Sequence, residues 1–219
     1  MIEFAKHLVD FVLHIDRHLQ GIISQYGVGT YALLFFIIFA ETGFVVTPFL
    51  PGDSLLFAAG ALSAGTVLNV HVLVVLLCVA AVVGNLANYA LGAFLGPKVF
   101  HREDSWLLRK KHLERAHAFF EKYGGRSIIL SRFMPIIRTF VPFVAGVGRM
   151  DYGRFFLFNL IGGCAWISVL TYLGYAFGGT EVVRKNFSLV VVAIIVISVI
   201  PIGLEALRSL RGPRPASAG

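Results

Sequence analysis

The chain has 219 residues, of which 57% are hydrophobic and 14% are charged, and its formal net charge is +7. A soluble domain of this length carries about 25% charged residues. The composition therefore argues against a soluble enzyme or a nucleic-acid-binding protein and predicts a polytopic membrane protein. The two cysteines, Cys78 and Cys164, lie in apolar runs and are expected to be free thiols.

Residues 1–30 are predicted to contain an amphipathic helix at the membrane interface, because apolar residues recur at helical spacing between charged ones. The start of the chain has no basic segment followed by a continuous apolar core, so we expect no cleavable signal peptide. His7, Asp10 and His14 share one face and are candidate metal ligands. Since no further ligand follows at a fixed spacing, a solvated polar face is the simpler interpretation, and we expect no metal or other cofactor.

Residues 31–96 hold an apolar stretch that is interrupted by two carboxylates, Glu41 and Asp53, with Pro48 and Pro51 between them. A charge at the bilayer centre costs ~2.5–3.5 kcal/mol on insertion scales. Broken backbone at membrane depth requires protein or water to satisfy it. This pattern predicts a re-entrant helical hairpin, with arms Tyr31 to Val46 and Asp53 to Ala64. The run from Val70 to Leu95 is then long enough to cross the bilayer, and its Asn85, Asn88 and Tyr89 are expected to face other helices.

Residues 97–126 carry eight of the 19 lysine and arginine side chains, and this basic segment predicts an amphipathic helix on an anionic membrane face. Residues 127–180 repeat the earlier pattern, with Arg132 and Arg138 flanking Pro135 in an apolar run and a membrane span after it. Residues 186–208 predict a C-terminal transmembrane helix, and residues 209–219 a disordered tail.

The two halves match when the chain is shifted by 86 residues. The shift superposes Phe57 on Phe143, Gly60 on Gly146, Cys78 on Cys164, Tyr89 on Tyr175 and Gly92 on Gly178. A unit that crosses the membrane once must be followed by an inverted copy. The predicted fold is therefore an all-α polytopic membrane protein forming one domain over residues 1–219, an inverted repeat of two re-entrant hairpins, each followed by a transmembrane helix. Many secondary transporters are built this way.

Basic segments next to membrane spans stay in the cytoplasm under the positive-inside rule. We therefore expect the basic helix at 97–126 and the arginine-containing tail to be cytoplasmic. The second hairpin then enters the membrane from the cytoplasm and the first from the opposite face. The C-terminus is expected to be cytoplasmic.

Two motifs resemble those of a known family. The sequence E-T-G-F-x-x-x-x-F-L-P-G-D from Glu41 to Asp53 is similar to the first signature of the DedA family, whose core is called the VTT or SNARE-associated Golgi domain. The sequence R-F-x-P-x-x-R-x-x-x-P-x-x-A-G from Arg132 to Gly146 is similar to its second. The resemblance covers roughly residues 30–180.

The resemblance implies a bacterial inner-membrane flippase that moves an anionic lipid carrier, undecaprenyl phosphate, with the proton motive force. It places the family's essential acids on Glu41 and Asp53 and its essential arginines on Arg132 and Arg138. The expected partners are a lipid phosphate, membrane lipids and protons, and a homo-oligomer is compatible with the sequence.

The chemistry of these residues leads to the same expectation. An arginine fork matches phosphate geometry, and a carboxylate in an apolar pocket is a plausible proton carrier because burial favours its neutral form. We therefore take Glu41 and Asp53 as candidate proton-coupling residues. The candidate substrate-binding residues are Arg132, Arg138, Ser54 and Thr139.

Four alternatives stay open at this stage. The charges could only pin the hairpins together. The protein could be a lipid pyrophosphate phosphatase with Ser54 or Ser131 as nucleophile, a cation/proton antiporter, or a general phospholipid scramblase. We favour a transporter over an enzyme because no histidine-containing nucleophile cluster is evident.

The repeat also predicts which charges meet. Asp53 and Arg138 occupy hairpin tips near the pseudo-two-fold axis, so they are expected to form the closest acid–base pair and to line a polar cavity. Glu41 is expected further from the axis, with Arg132 or water as its partner. Trp166 is expected to be an interfacial or packing anchor.

Overall fold

The computed structural model describes residues 15–44, 52–99, 110–194 and 196. Within these ranges the chain is helical and contains no β-strand. Residues 187–194 are also helical. The helices are α1 Ile15–Tyr26, α2 Thr30–Gly43, α3 Gly52–Ser63, α4 Val70–Val99, α5 Lys110–Tyr123, α6 Ser127–Leu130, α7 Pro135–Val147, α8 Tyr152–Gly178 and α9 Glu181–Lys185.

Three helical stretches are long and apolar enough to cross a membrane: Ile15–Gly43, Val70–Leu95 and Tyr152–Gly178. The two later stretches confirm the spans expected from the sequence. The first joins α1 to α2 through a 3₁₀ turn at Gly27–Gly29, where Gly27 adopts a left-handed φ of +53°. The histidines of the proposed N-terminal metal face, the first hairpin tip at 45–51 and the tail at 209–219 lie outside the described residues.

The ends of the later helices follow from local sequence. Asp151 caps α8, accepting a hydrogen bond at Oδ1 from the Arg154 backbone N–H at 2.9 Å. Asn69 caps α4 by accepting from the His71 N–H at 2.9 Å. Met134 is extended, and Pro135 after it occupies the first turn of α7, which proline favours because its ring fixes φ.

One face of α4 is apolar and exposed. Its exposed valines are Val72, Val75, Val79 and Val83, at helical spacing. The opposite face buries Leu73, Leu77 and the polar Asn85 and Asn88. An apolar outer stripe with amides inside is the arrangement expected of a helix that faces lipid on one side.

Glycines allow α3 to pack closely on α8, and α7 on α4. A Cβ on Gly174 would collide with the carbonyl oxygen of Phe57, and one on Gly92 with that of Phe143. Likewise Gly60 lies against the carbonyl oxygen of Thr171, and Gly146 against that of Tyr89. Phe57 and Phe143, like Gly60 and Gly146, are residues that the shift of 86 superposes. The residues that the shift superposes therefore make similar contacts, α3 with α8 and α7 with α4.

Candidate functional site

Three charged side chains meet in the interior between α2, α3 and α7. Arg138 donates from Nη1 to Asp53 Oδ1 at 2.7 Å and from Nη2 to Glu41 Oε1. The side chains of Glu41 and Arg138 are 1% and 6% exposed, and that of Asp53 is 17% exposed. Because buried charges persist only when they are paired and hydrogen-bonded, these three side chains form one electrostatic unit.

Each of these residues lies at the end of a helix. Glu41 is in the last turn of α2, Asp53 in the first turn of α3 and Arg138 in the first turn of α7. The Glu41 carboxylate lies directly against Gly52, at the start of α3, where a Cβ would collide with it. The N-terminus of a helix is its positive end and favours carboxylates. The start of α3 therefore supports both acids, and Gly52 leaves the space for Glu41.

Trp166, from the middle of α8, is the aromatic residue of the site. Its Nε1–H donates to Asp53 Oδ1 at 2.9 Å. Its ring centroid lies 4.9 Å from Cζ of Arg138 and 5.8 Å from Cζ of Arg132. A cation within about 6 Å of an indole ring is attracted to its face. The buried ring therefore contacts both arginines and also fixes one carboxylate.

Arg132 is buried beside this unit with amide partners. Its Nη2 donates to Asn159 Oδ1 at 2.7 Å. The Asn85 amide lies beside the same Nη2. We assign its oxygen to this side, at 2.6 Å, and its nitrogen to the carbonyl oxygen of Thr42, at 3.2 Å, because a guanidinium can only donate. Asn159 is itself fixed by donating to the carbonyl oxygen of Val82 at 3.0 Å. The guanidinium is thus held by two neutral side chains on two different spans.

A third amide ties the two halves together. Asn88 of α4 donates from Nδ2 to the carbonyl oxygens of Thr42 at 3.1 Å and Thr139 at 2.8 Å. Thr42 is near the end of α2 and its carbonyl is one that a helix leaves without a partner. The amide of Asn88 therefore links the end of α2 to α7 at the level of the charged unit.

Comparison with known proteins identifies the family. The VTT domain family matches residues 50–176. The chain is 50% identical to Protein DedA of Escherichia coli K12 over 218 residues, which cover 99% of this chain and all of that protein. This chain is a member of the DedA family of membrane proteins.

Two further relatives match at lower identity over part of the chain. An uncharacterized membrane protein of Mycobacterium tuberculosis is 45% identical over 182 residues, 82% of this chain and 80% of that protein. The inner membrane protein YqjA of Escherichia coli K12 is 38% identical over 157 residues, 71% of this chain and 70% of that protein. No solved structure matches the chain. The matched VTT region contains Asp53, Arg132, Arg138 and Trp166, whereas Glu41 lies just before it.

The structure brings together the four charged residues predicted for the DedA signatures, and it also buries Ser54 and Thr139. The hydroxyl of Ser54 has no hydrogen-bond partner within the described part of the chain. Thr139 contributes its backbone carbonyl to Asn88. The roles proposed for these residues stay predictions.

One predicted pairing is confirmed and another is wrong. Asp53 was expected to form the closest pair with Arg138, and the two side chains are paired. Glu41 was expected to meet Arg132 or water, but it pairs with Arg138 as well. The reason is that Gly52 has no side chain and so leaves space for the Glu41 carboxylate. It brings the end of α2 against the start of α3, so both carboxylates reach one guanidinium.

Sequence reasoning missed two members of the site, Trp166 and Asn159. Trp166 was assigned an anchoring role, yet it is buried and hydrogen-bonded to Asp53. Asn159 is a polar residue within an apolar span, and polar residues in spans are expected to be buried against other helices. The same reasoning predicted the burial of Asn85 and Asn88 and could have been applied to Asn159. Asn85 and Asn88 were predicted to face other helices, and both are buried.

Proposed function

We propose that this protein transports an anionic lipid carrier, undecaprenyl phosphate, across the bacterial inner membrane, with protons as the coupling ion. The observation that carries the proposal is the buried group of Glu41, Asp53, Arg132 and Arg138 at the ends of broken helices. Ionisable residues at membrane depth mark substrate paths and proton relays. Arginine is the side chain best suited to bind phosphate.

The charges of this group support coupling to protons. The net charge of the group is zero when its two guanidinium ions and its two carboxylates are all ionised. A phosphate that enters the site adds negative charge to a region of low dielectric, where an uncompensated charge is costly. Taking up one proton on a carboxylate for each added negative charge restores neutrality. Protonation also frees Arg138 from a carboxylate, so that it can bind the phosphate.

The packing supports an inverted repeat as the transport scaffold. Each arm, α3 or α7, packs through glycines on the span of the other half. We infer that the two arms belong to re-entrant hairpins inserted from opposite faces, with the charged group between them. In such proteins one half rocks against the other around a central site. The cytoplasmic C-terminus inferred from the basic segments belongs to the same proposal.

The alternatives differ in what each would produce. A lipid pyrophosphate phosphatase would release inorganic phosphate, with Ser54 as a candidate nucleophile. The Ser54 hydroxyl has no hydrogen-bond partner within the described residues, whereas a serine nucleophile needs a base within hydrogen-bond reach, and this favours the carrier. A scramblase would move zwitterionic lipids as readily as lipid phosphates. A cation/proton antiporter would exchange Na⁺ or K⁺ for protons without any lipid phosphate.

The test is reconstitution into liposomes with labelled undecaprenyl phosphate, undecaprenyl pyrophosphate or phosphatidylcholine, with and without a pH gradient. We expect undecaprenyl phosphate to move between leaflets, faster with the gradient, and no inorganic phosphate to be released. Arg138→Gln should abolish this movement, while Arg154→Gln, at an exposed position, should not. Equal movement of phosphatidylcholine would favour a scramblase, and release of phosphate an enzyme.

A further inference from the structure

The two buried arginines differ in their partners. Arg138 forms ion pairs with both Glu41 and Asp53. Within the described part of the chain, no carboxylate forms an ion pair with Arg132. Both arginines belong to the same sequence motif, but the structure gives them different partners.

Arg132 has no carboxylate in direct contact among the described residues, and Glu41 acts on its charge only from a longer distance. Arg132 is 2% exposed, and its hydrogen bonds go to the amide oxygens of Asn159 and Asn85. Its Nε has no hydrogen-bond partner among the described residues. Amide oxygens satisfy donors but do not cancel a charge, and a buried donor left unpaired is costly. A site with a fixed guanidinium and an unused donor is prepared for an anion.

Trp166 connects this position to the carboxylate-bound arginine. Its ring lies within 5.8 Å of Cζ of Arg132 and 4.9 Å of Cζ of Arg138. Its Nε1–H stays bonded to Asp53, so that carboxylate keeps one donor when Arg138 leaves it. The two guanidinium groups are therefore neighbours across one indole ring.

We propose that Arg132, with Asn85 and Asn159, is the primary binding position for the phosphate group, an inference that rests on the proposed function. Arg138 is a second position that becomes available only when Glu41 or Asp53 releases it. Anion binding at Arg132 thus precedes the exchange of partners at Arg138. The shared ligand chemistry is a phosphate monoester, whether it belongs to a lipid or is free in solution.

The first test compares the two arginines in full-length detergent-solubilised protein. Binding of radiolabelled undecaprenyl phosphate is measured by scintillation proximity at pH 8, with unlabelled undecaprenol and inorganic phosphate as competitors. We expect Arg132→Gln to raise the Kd at least tenfold more than Arg138→Gln does. If the site binds a lipid phosphate, neither undecaprenol nor inorganic phosphate at the same concentration should displace the labelled undecaprenyl phosphate. Displacement by inorganic phosphate would instead identify a site for free phosphate.

Trp166 supplies a second readout at the site. In a Trp106→Phe background it is the remaining tryptophan, since the sequence contains two. Undecaprenyl phosphate is expected to change its emission, and undecaprenol is not. Arg132→Gln should remove this change while leaving the emission of the unliganded protein in the range of a buried indole, which reports that the variant is folded.

The second test supplies Arg132 with an internal anion. Asn159→Asp preserves the size of the side chain and gives Arg132 a carboxylate like those on Arg138, so we expect the Kd to rise at least tenfold. The matched control is Asn69→Asp, which adds the same charge at an exposed helix cap where aspartate serves as well as asparagine. We expect its Kd to stay within twofold of wild type.

These outcomes separate the inference from the proposed function. Equal loss of affinity in Arg132→Gln and Arg138→Gln, or wild-type affinity in Asn159→Asp, overturns the primary position at Arg132 and leaves the transport proposal standing. If the wild-type protein binds undecaprenyl phosphate no better than undecaprenol, both fail. The two series are independent, because Asn159→Asp leaves both arginines in place.

Discussion

Removing the positive charge of Arg138 would leave two carboxylates facing each other in the interior. Breaking a buried pair by deleting one partner costs about 3–5 kcal/mol, because the remaining charge is uncompensated. Arg138→Gln should therefore lower the thermal unfolding temperature in detergent at pH 8. An unfolding temperature unchanged at pH 8 would contradict the pairing.

Trp166 offers a finer test at the same scale. Trp166→Phe keeps an aromatic ring beside both arginines but removes the Nε1–H that binds Asp53. A hydrogen bond to a charged group contributes about 1.5–3 kcal/mol, so we expect transport to slow by roughly ten- to a hundredfold while the protein inserts normally. Trp166→Leu, which also removes the ring, should be slower still. A wild-type transport rate in Trp166→Phe would show that the indole N–H does not contribute.

At the scale of helices, the glycine contacts hold α3 against α8 and α7 against α4. Gly92→Ala and Gly174→Ala would each place a methyl group against a backbone carbonyl, of Phe143 and Phe57 respectively. Overpacking of this kind costs about 1–3 kcal/mol, and both variants should unfold at lower temperature. Because the two contacts are matched, the two losses should be similar.

Gly21→Ala is the control for these variants. Gly21 lies within α1, and a Cβ there meets no atom within 4 Å. Alanine is a better helix former than glycine by about 1 kcal/mol, so this variant should be as stable as wild type or slightly more stable. A loss equal to that of Gly92→Ala would mean that tight helix crossing is not the cause.

The helices and the four charged residues could be predicted from the sequence because their signals are local. Apolar runs fix the spans, prolines mark the breaks, and the cost of charges in a membrane singles out Glu41, Asp53, Arg132 and Arg138. The pairing of Glu41 with Arg138 could not be predicted. It depends on how the end of α2 meets Gly52, and no spacing along the chain encodes that meeting.

The register of the repeat is a second example. The shift of 86 superposes Gly92 on Gly178. In the structure, however, the glycine that makes the same kind of contact as Gly92 is Gly174: each lies against the carbonyl oxygen of a phenylalanine, Phe143 or Phe57. The second span starts four residues earlier relative to its partner segment: Val70 follows Phe57 by 13 residues, whereas Tyr152 follows Phe143 by nine. A single gapless shift cannot follow that change. It therefore aligned the arms correctly and the spans one helical turn apart.

At the scale of the whole molecule, the orientation in the membrane is open to a direct test. We expect the exposed face of α5 and the C-terminal tail to lie in the cytoplasm, because basic segments stay on that side. Cysteines placed at His117 and Ser217 of a variant without Cys78 and Cys164 should be unreactive to an impermeant maleimide in intact cells. Both should react after the cells are opened. Labelling of either site in intact cells would contradict the orientation.

The coupling of phosphate movement to protons is tested most directly by the lumenal pH of proteoliposomes that carry a trapped pH-sensitive dye. When undecaprenyl phosphate is added to the outer leaflet, its inward movement should acidify the lumen, since a proton on Glu41 or Asp53 accompanies the added negative charge. Undecaprenol should give no change, and Glu41→Gln with Asp53→Asn should remove the signal. Movement of labelled undecaprenyl phosphate at a constant lumenal pH would contradict the account.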